Sequence, residues 1–460
     1  MNLTFNRRTH PDPEAIERFL SGDLPGPEDR SVEEHLRAGC VACLFKAREL
    51  ALTLTETSRR SLRKGLFGGA NRDALLGSYG TWLERKVLLI ELETGLAPEL
   101  VSELMLRPPA ARRETVRKSR RYQMLALAEA LREESRREGF RDVARAVELA
   151  ELAVEVADCL CTGFYGVGLV SDARALAYAM LGNAQRVAGD LFGADRQLRS
   201  AVELLRHGTG SPTERAEVLS LLASLRVDQS RFDAAIRLLD DVATVYRTQS
   251  LHREEGSALI QMARAAGAGG QPEQAVELLR YAVELLDPQR DQRLILWAQH
   301  NIAAFLDDAD RSAEAREHLE RIRPLYDHFP EDRSIHLRRR WLEGRIAAGV
   351  GETERAIAAL QEVRSVFVEQ EQAFDDALVT LDLAAVFLSE GRTEDVKRLA
   401  EEMYPIFRSQ DVHRQALTAL VLFKQAALTE AATVQLVRDV AEYLTRARRN
   451  PYLPFEPRGG

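Results

Sequence analysis

The sequence predicts an all-α protein: a small N-terminal metal-binding helical module followed by a long array of stacked helix pairs. Three observations predict it. Ala, Leu, Arg and Glu dominate while aromatic residues make up only 6% of the chain, a composition that favours helices. Small and aliphatic residues recur at a fixed period over roughly residues 121–447. Near the start, His10, His35, Cys40 and Cys43 bring together two histidines and two cysteines, the ligand set of a four-coordinate zinc site. At 460 residues the chain exceeds what one hydrophobic core fills, so several domains or a repeat array are expected.

Residues 1–55 read as the metal module. A first helix, PEAIERFLSGDL, leads through the turn LPGPED into a second helix bearing His35. A Cys-x2-Cys knuckle and a third helix follow. Four residues lie between His35 and Cys40, and this i,i+5 spacing would rotate the cysteine about 140° from the histidine on a continuous helix. The helix must therefore stop first, and Gly39 can end it by adopting a left-handed conformation. Structural zinc contributes on the order of 10–16 kcal/mol in small finger peptides, which would let so short a segment fold. Four His/Cys positions imply a closed structural site, since hydrolytic zinc sites keep one position open. Without His10, a three-ligand site would take water or a glutamate as its fourth ligand. The alternative is that Cys40 and Cys43 are reduced core thiols and His10 belongs to a disordered tail.

Residues 56–120 read as a connector. The stretch 56–75 is basic and glycine-rich, a linker. Residues 76–120 suggest two or three helices ending in the basic run RPPAARRETVRKSRR. Its cations Arg107, Arg112, Arg113, Arg117, Lys118, Arg120 and Arg121 either contact an acidic partner or nucleic acid or form a solvated helix face. The formal charge of −8 argues against a general nucleic-acid binder, and direct nucleic-acid binding is not expected.

From residue 121 to 447 the pattern is helix, short turn, helix. Gly182 is followed by Ala194, Leu198 and Ala201. The same offsets return as Ala223/Ala235/Leu239/Val242, Ala263/Ala275/Leu279/Ala282 and Ala303/Ala315/Leu319/Ile322. Gly344/Ala356/Leu360/Val363 and Ala384/Val396 with Leu399 or Ala400 and Met403 complete the series. The leading positions lie 40 or 41 residues apart. Small residues are required where two antiparallel helices cross closely, and larger aliphatics fill the space beside the crossing. Residues 448–460 form a C-terminal tail.

The small–small–large–small pattern resembles tetratricopeptide repeats. Two departures are visible: the usual bulky aromatics are mostly missing, and the period is about 40 where the family has 34. Longer helices or loops would account for the difference. The resemblance implies an α-solenoid that serves as a protein-interaction platform. The N-terminal stretch resembles the zinc-binding domain of anti-sigma factors, whose usual pattern is His-x3-Cys-x2-Cys with a further ligand about 25 residues upstream. His10 and His35 are 25 residues apart; the interval to Cys40 is one residue longer than usual. This resemblance implies a protein partner such as an extracytoplasmic-function-type sigma factor. Some domains of that family are thiol-redox sensors, in which oxidation of a zinc-bound thiolate ejects the metal; the sequence leaves a structural and a redox-sensing zinc both open.

No apolar run is long enough for a membrane span. The best candidate, VLLIELETGLAPELV, is interrupted by Glu91, Glu93, Pro98 and Glu99, and MNLTFNRRTHPDPE lacks a signal-peptide core. A cytoplasmic protein with no membrane contact is expected, and a reducing compartment leaves its four cysteines available to metal. Cys159 and Cys161 point about 200° apart on a helix, which suits neither disulfide nor chelate; they read as small buried residues. Trp82, Trp297 and Trp341 read as core or groove residues. No nucleophile–base set, phosphate loop or dinucleotide fingerprint emerges. The expected function is non-enzymatic and regulatory, with the zinc module binding a sigma factor or similar transcription regulator and the repeats binding a second protein. The alternative is a repeat scaffold whose zinc module is purely structural.

Overall fold

The computed structural model describes residues 10–21, 26–37, 40, 43–44, 46–48, 50–51, 72–139, 141–409, 414–448, 450, 453 and 455. The chain is all-α, with no strand among the described residues, and its helices form the tetratricopeptide-like solenoid pairs that the sequence predicts. It divides into two compact units, Met1–Val218 and Leu219–Gly460. No described helix is long and apolar enough to cross a membrane.

In the first unit α1 (Pro13–Ser21) and α2 (Gly26–Arg37) precede a 34-residue helix, α3 (Arg72–Met105), and the shorter α4 (Pro109–Lys118). Helix α3 begins inside the stretch read as linker, where RDALLG supplies good helix formers. Two helix pairs follow: α5 (Leu125–Glu138) with α6 (Val143–Asp158), then α7 (Val167–Val187) with α8 (Leu191–Leu204). One continuous core joins α1 to α7. Ile16, Phe19, Leu20, Leu36 and Leu44 of the N-terminal segment pack into the same cluster as Leu89 and Leu100 of α3 and Leu127 and Leu131 of α5. The N-terminal helices thus bury their apolar faces against the rest of the unit. The proposed helix stop at Gly39 lies outside the described residues, as do most of the linker and most of the tail.

Helix α9 (Pro212–Asp228) spans the division between the units. The second unit continues through α10 (Phe232–Thr248), α11 (His252–Ala268), α12 (Pro272–Leu285), α13 (Gln292–Asp308) and α14 (Ser312–Arg321). It ends with α15 (Arg333–Gly349), α16 (Thr353–Glu369), α17 (Ala373–Ser389), α18 (Thr393–Ser409), α19 (Arg414–Leu428) and α20 (Val434–Ala447). Each helix from α10 to α13 packs on its neighbours in sequence, as do α15 to α20.

Every leading and following position of the repeat pattern is buried. At the crossings, a Cβ added to Gly182 would lie 2.8 Å from Leu198 Cγ, and one added to Gly344 would lie 2.9 Å from Leu360 Cγ. The close approach is therefore real at the residues that predict it. The long period is also explained. Helices α9, α10, α11 and α15 to α18 are each 17 residues long, and three-residue turns separate α9, α10 and α11. Two such helices and two such turns make 40 residues. Against the 34-residue family period, each helix is longer by close to one 3.6-residue turn.

Candidate metal centre

His10 precedes α1, His35 lies in the last turn of α2, and Cys40 and Cys43 open the segment that follows. The chain brings all four together: one ligand atom from each lies within 4.8 Å of every other. His10 Nδ1 is 3.2 Å from Cys40 Sγ and 3.3 Å from Cys43 Sγ. The two imidazole rings meet edge to face with centroids 5.7 Å apart. Zinc–nitrogen and zinc–sulfur bonds of about 2.0–2.3 Å imply tetrahedral edges of roughly 3.3–3.8 Å, which the shortest separations approach. The extra residue between His35 and Cys40 therefore does not keep the cysteines from the histidines.

Local packing holds the donors in place. Phe19 and Leu20 of α1, Leu36 of α2, and Cys43, Leu44 and Ala47 are all buried in one cluster, and the backbone N–H of Leu44 donates to the Cys40 carbonyl at 3.0 Å, turning the chain into a helix beyond the knuckle. Arg85 of α3 clamps the module from outside. Its guanidinium pairs with Asp29 at 2.6 Å and Glu33 at 3.3 Å and lies 4.2 Å above the Phe19 ring.

The donor set fits a metal ion. His35 Nε2 is buried and makes no hydrogen bond, an orphaned polar atom of the kind that native structures rarely leave. Burial and the neighbouring His10 lower the pKa of His35, favouring the neutral imidazole that metals bind. Burial and the adjacent Cys40 push the Cys43 thiol up to about 12, so two sulfurs crowd together at a cost that a cation would reverse. This is the one such group among the described residues.

A second cluster, which the sequence reading missed, lies a short distance along the chain. Glu93 of α3 is fully buried; Arg48 Nε lies 2.8 Å from its carboxylate. The Tyr165 hydroxyl sits 2.7 Å from both Glu93 oxygens, and an Arg48 N–H donates to that hydroxyl at 2.7 Å and to the Gln123 carbonyl at 3.1 Å. Burial raises the Glu93 pKa, opposed by the Arg48 charge, the Tyr165 hydroxyl and the backbone N–H groups of Leu125 and Ala126. Those two amides open α5, which has no side-chain cap of its own. The Leu125 amide donates to the Tyr165 hydroxyl at 3.2 Å, and that hydroxyl donates in turn to Glu93, so α5 is capped from outside the helix through this pair. In the sequence the only trace of Glu93 is a carboxylate interrupting an apolar run.

Most of the basic run is taken up by ion pairs within the unit. Arg112, Arg113 and Arg117 of α4 pair with Glu148, Glu151 and Glu155, which line one face of α6. Arg121 reaches Glu103 at 2.6 Å, and Lys118 reaches Glu114 at 2.5 Å. This laddering neutralises the patch and favours the structural reading over a nucleic-acid one. Cys159 is half-buried and Cys161 exposed. The expectation of two small buried residues is therefore corrected: the helix ends at Asp158 and the chain turns outward. Trp297 and Trp341 are half-buried, the latter donating from Nε1 to Asp382 at 2.7 Å.

No protein-family model matches the chain, and no curated protein sequence matches it. Several solved structures share its fold. A Rap protein complexed with competence and sporulation factor superposes with a TM-score of 0.53 at 12% identity, over 70% of this chain and 88% of that one. Aspartyl phosphate phosphatase F from Bacillus subtilis gives 0.50 at 12% identity, over 88% and 95%. The apo form of RapI gives 0.50 at 11% identity, over 85% and 99%. At such identities the likeness carries the fold alone. It supports a helical-repeat fold.

Proposed function

We propose that this chain is a non-enzymatic regulatory adaptor: its helical repeats bind a protein partner, and His10, His35, Cys40 and Cys43 hold one structural zinc ion. The observation that carries the reading is the convergence of four His and Cys donors within 4.8 Å from three separate segments. All four positions would be filled by protein, so the ion would supply folding energy and no open coordination site. The resemblance of the N-terminal stretch to anti-sigma zinc domains names the finer partner class, a sigma factor or similar transcription regulator. The phosphatase name carried by one neighbour belongs to that protein; transfer of its activity would require a site that the present residues do not supply as a recognisable set.

A second reading, a repeat scaffold with a purely structural zinc module, is favoured by one observation. The apolar faces of α1 and α2 are buried in the core shared with α3 and α5, leaving less of the module free for a partner. Two measurements separate the readings. Elemental analysis of reduced, chelator-free protein should give about one zinc per chain, lost in the Cys40→Ser/Cys43→Ser variant; a metal-free native chain would remove the zinc assignment. Affinity purification of the tagged chain should then bring down a sigma subunit under the first reading and unrelated proteins under the second.

A further inference from the structure

We propose that Arg48, Glu93 and Tyr165 form a latch through which metal occupancy at His10, His35, Cys40 and Cys43 sets the order of the first repeat helices. The inference rests on the zinc reading above and extends it to regulation. Arg48 lies five residues beyond Cys43, on the helical segment that opens at the knuckle. That segment is short, and the two cysteines are its direct link to the histidines of the preceding elements. Its arginine is the cation that sits on the fully buried Glu93, with Arg48 itself only 10% exposed at the side chain.

The far side of Glu93 faces the repeats. The Leu125 amide that opens α5 donates to the Tyr165 hydroxyl at 3.2 Å, that hydroxyl donates to Glu93 at 2.7 Å, and Tyr165 belongs to the single helical turn just before α7. The Arg48 guanidinium also stacks near the Phe164 and Tyr165 rings, 5.2 and 5.6 Å from their centroids. Three elements therefore meet at one buried charge: the metal-binding segment, the long helix α3 and the start of the repeats. With metal bound, the segment is fixed and Arg48 neutralises Glu93. With metal removed, the segment loses its tie to the histidines and rests on the packing of Leu44, Ala47 and Ala51 in the core, and a buried carboxylate that loses its cation is strongly destabilising. The Tyr165 hydroxyl that accepts from the Leu125 amide then loses its anchor, and order at the start of α5 and α7 falls. A ligand biases such a change only through its different affinity for the two states, and the coupling is reciprocal. Disturbing the latch must therefore weaken the metal site.

Hydrogen exchange on the full-length chain tests this, comparing zinc-loaded protein with protein stripped by chelator under reducing conditions. Zinc removal is expected to speed exchange in residues 125–131 and 162–170 as well as in the module. Arg48→Met should bind zinc about tenfold more weakly in chelator competition, within the usual range of coupling. Arg117→Gln, which removes an ion pair of α4 outside the latch, should leave zinc affinity unchanged. Should Arg48→Met fail to fold, the Arg48→Met/Glu93→Gln variant removes both charges together and reports the same coupling. In that variant zinc removal should no longer alter exchange at 125–131. A chain that binds one zinc yet shows unchanged exchange in both repeat segments on its removal would overturn the latch while leaving the zinc site standing. A chain that binds no stoichiometric metal would overturn both.

Discussion

Gly182 and Gly344 occupy helix crossings in which a single methyl group has no room. Overpacking of this kind forces neighbours off their rotamers and typically costs about 1–3 kcal/mol. Gly344→Val should therefore destabilise the second unit by that amount and lower its denaturation midpoint, whereas Gly26→Ala, with nothing within 4 Å of its added Cβ, should change little; equal midpoints for Gly344→Val and the native chain would contradict the crossing. These glycines were legible in the sequence because the same small-residue demand recurs at every repeat. His300 was not. Its Nδ1 sits 2.8 Å from the hydroxyl of Tyr326, a residue beyond the next helix that is itself fully buried. Burial, together with the charges of Arg338 and Arg345, lowers the His300 pKa to about 4. Because the folded-state value lies below the unfolded value of about 6.5, the unfolded chain binds more protons between these limits, so stability is full above pH 6.5 and is lost as pH falls toward 4. The shift corresponds to about 3 kcal/mol. Denaturation of native and His300→Gln protein at pH 7 and pH 4.5 should show the native chain losing more; parallel losses would exclude His300 as the source.

At the scale of the element, the turns between helices share one device. A single residue with positive φ ends each of several helices: Ser230, Ser250, Gly270, Asp310, Gly351, Glu371, Gly391 and Glu430. After it the next amide reaches back to the preceding helix, as Leu251 does to Tyr246 at 2.9 Å and Gln372 to Phe367 at 2.9 Å, the Schellman closure. Five of these eight positions hold a residue other than glycine, and the left-handed conformation costs such a residue about 1–2 kcal/mol. Glu371→Gly should thus stabilise the second unit by up to about 1 kcal/mol, offset in part by glycine's greater entropy when unfolded. A lower midpoint in a urea titration would count against that conformation. The helix-turn-helix rhythm was readable because its core positions repeat. The turn conformation was not, because serine, aspartate and glutamate give no glycine signal. The cap on α5 was hidden for another reason: its acceptor, the Tyr165 hydroxyl, lies 40 residues beyond Leu125, on a different helix, and local capping rules look only at neighbouring residues.

Across the molecule, the sequence separates an N-terminal metal module from the repeats, and composition alone makes that division natural. The four His and Cys ligand candidates could be listed from their types and spacing. What spacing could not reveal is that the residues around them share a core with the rest of their unit, because no periodicity records which helix faces meet. Leu89, Leu96 and Leu100 of α3 are buried in the same cluster as Phe19, Leu36 and Leu44, so each side supplies the other's apolar surroundings. Burying a leucine or phenylalanine contributes about 1.5–3 kcal/mol, and several such side chains would be exposed together if the first 55 residues were removed. Patches of that kind promote association in otherwise soluble proteins. A chain beginning at residue 72 should therefore express mainly as aggregate, or unfold at a temperature well below that of the native chain, and added zinc should not rescue it because its ligands are gone. In the full-length Cys40→Ser/Cys43→Ser variant the same apolar residues remain covalently present, so its loss of stability should be smaller than that of the truncated chain. Scanning calorimetry of the three proteins orders these effects. A truncated chain as soluble and as stable as the native one would mean that the shared core contributes nothing, and that the module is held to the repeats by its ion pairs alone.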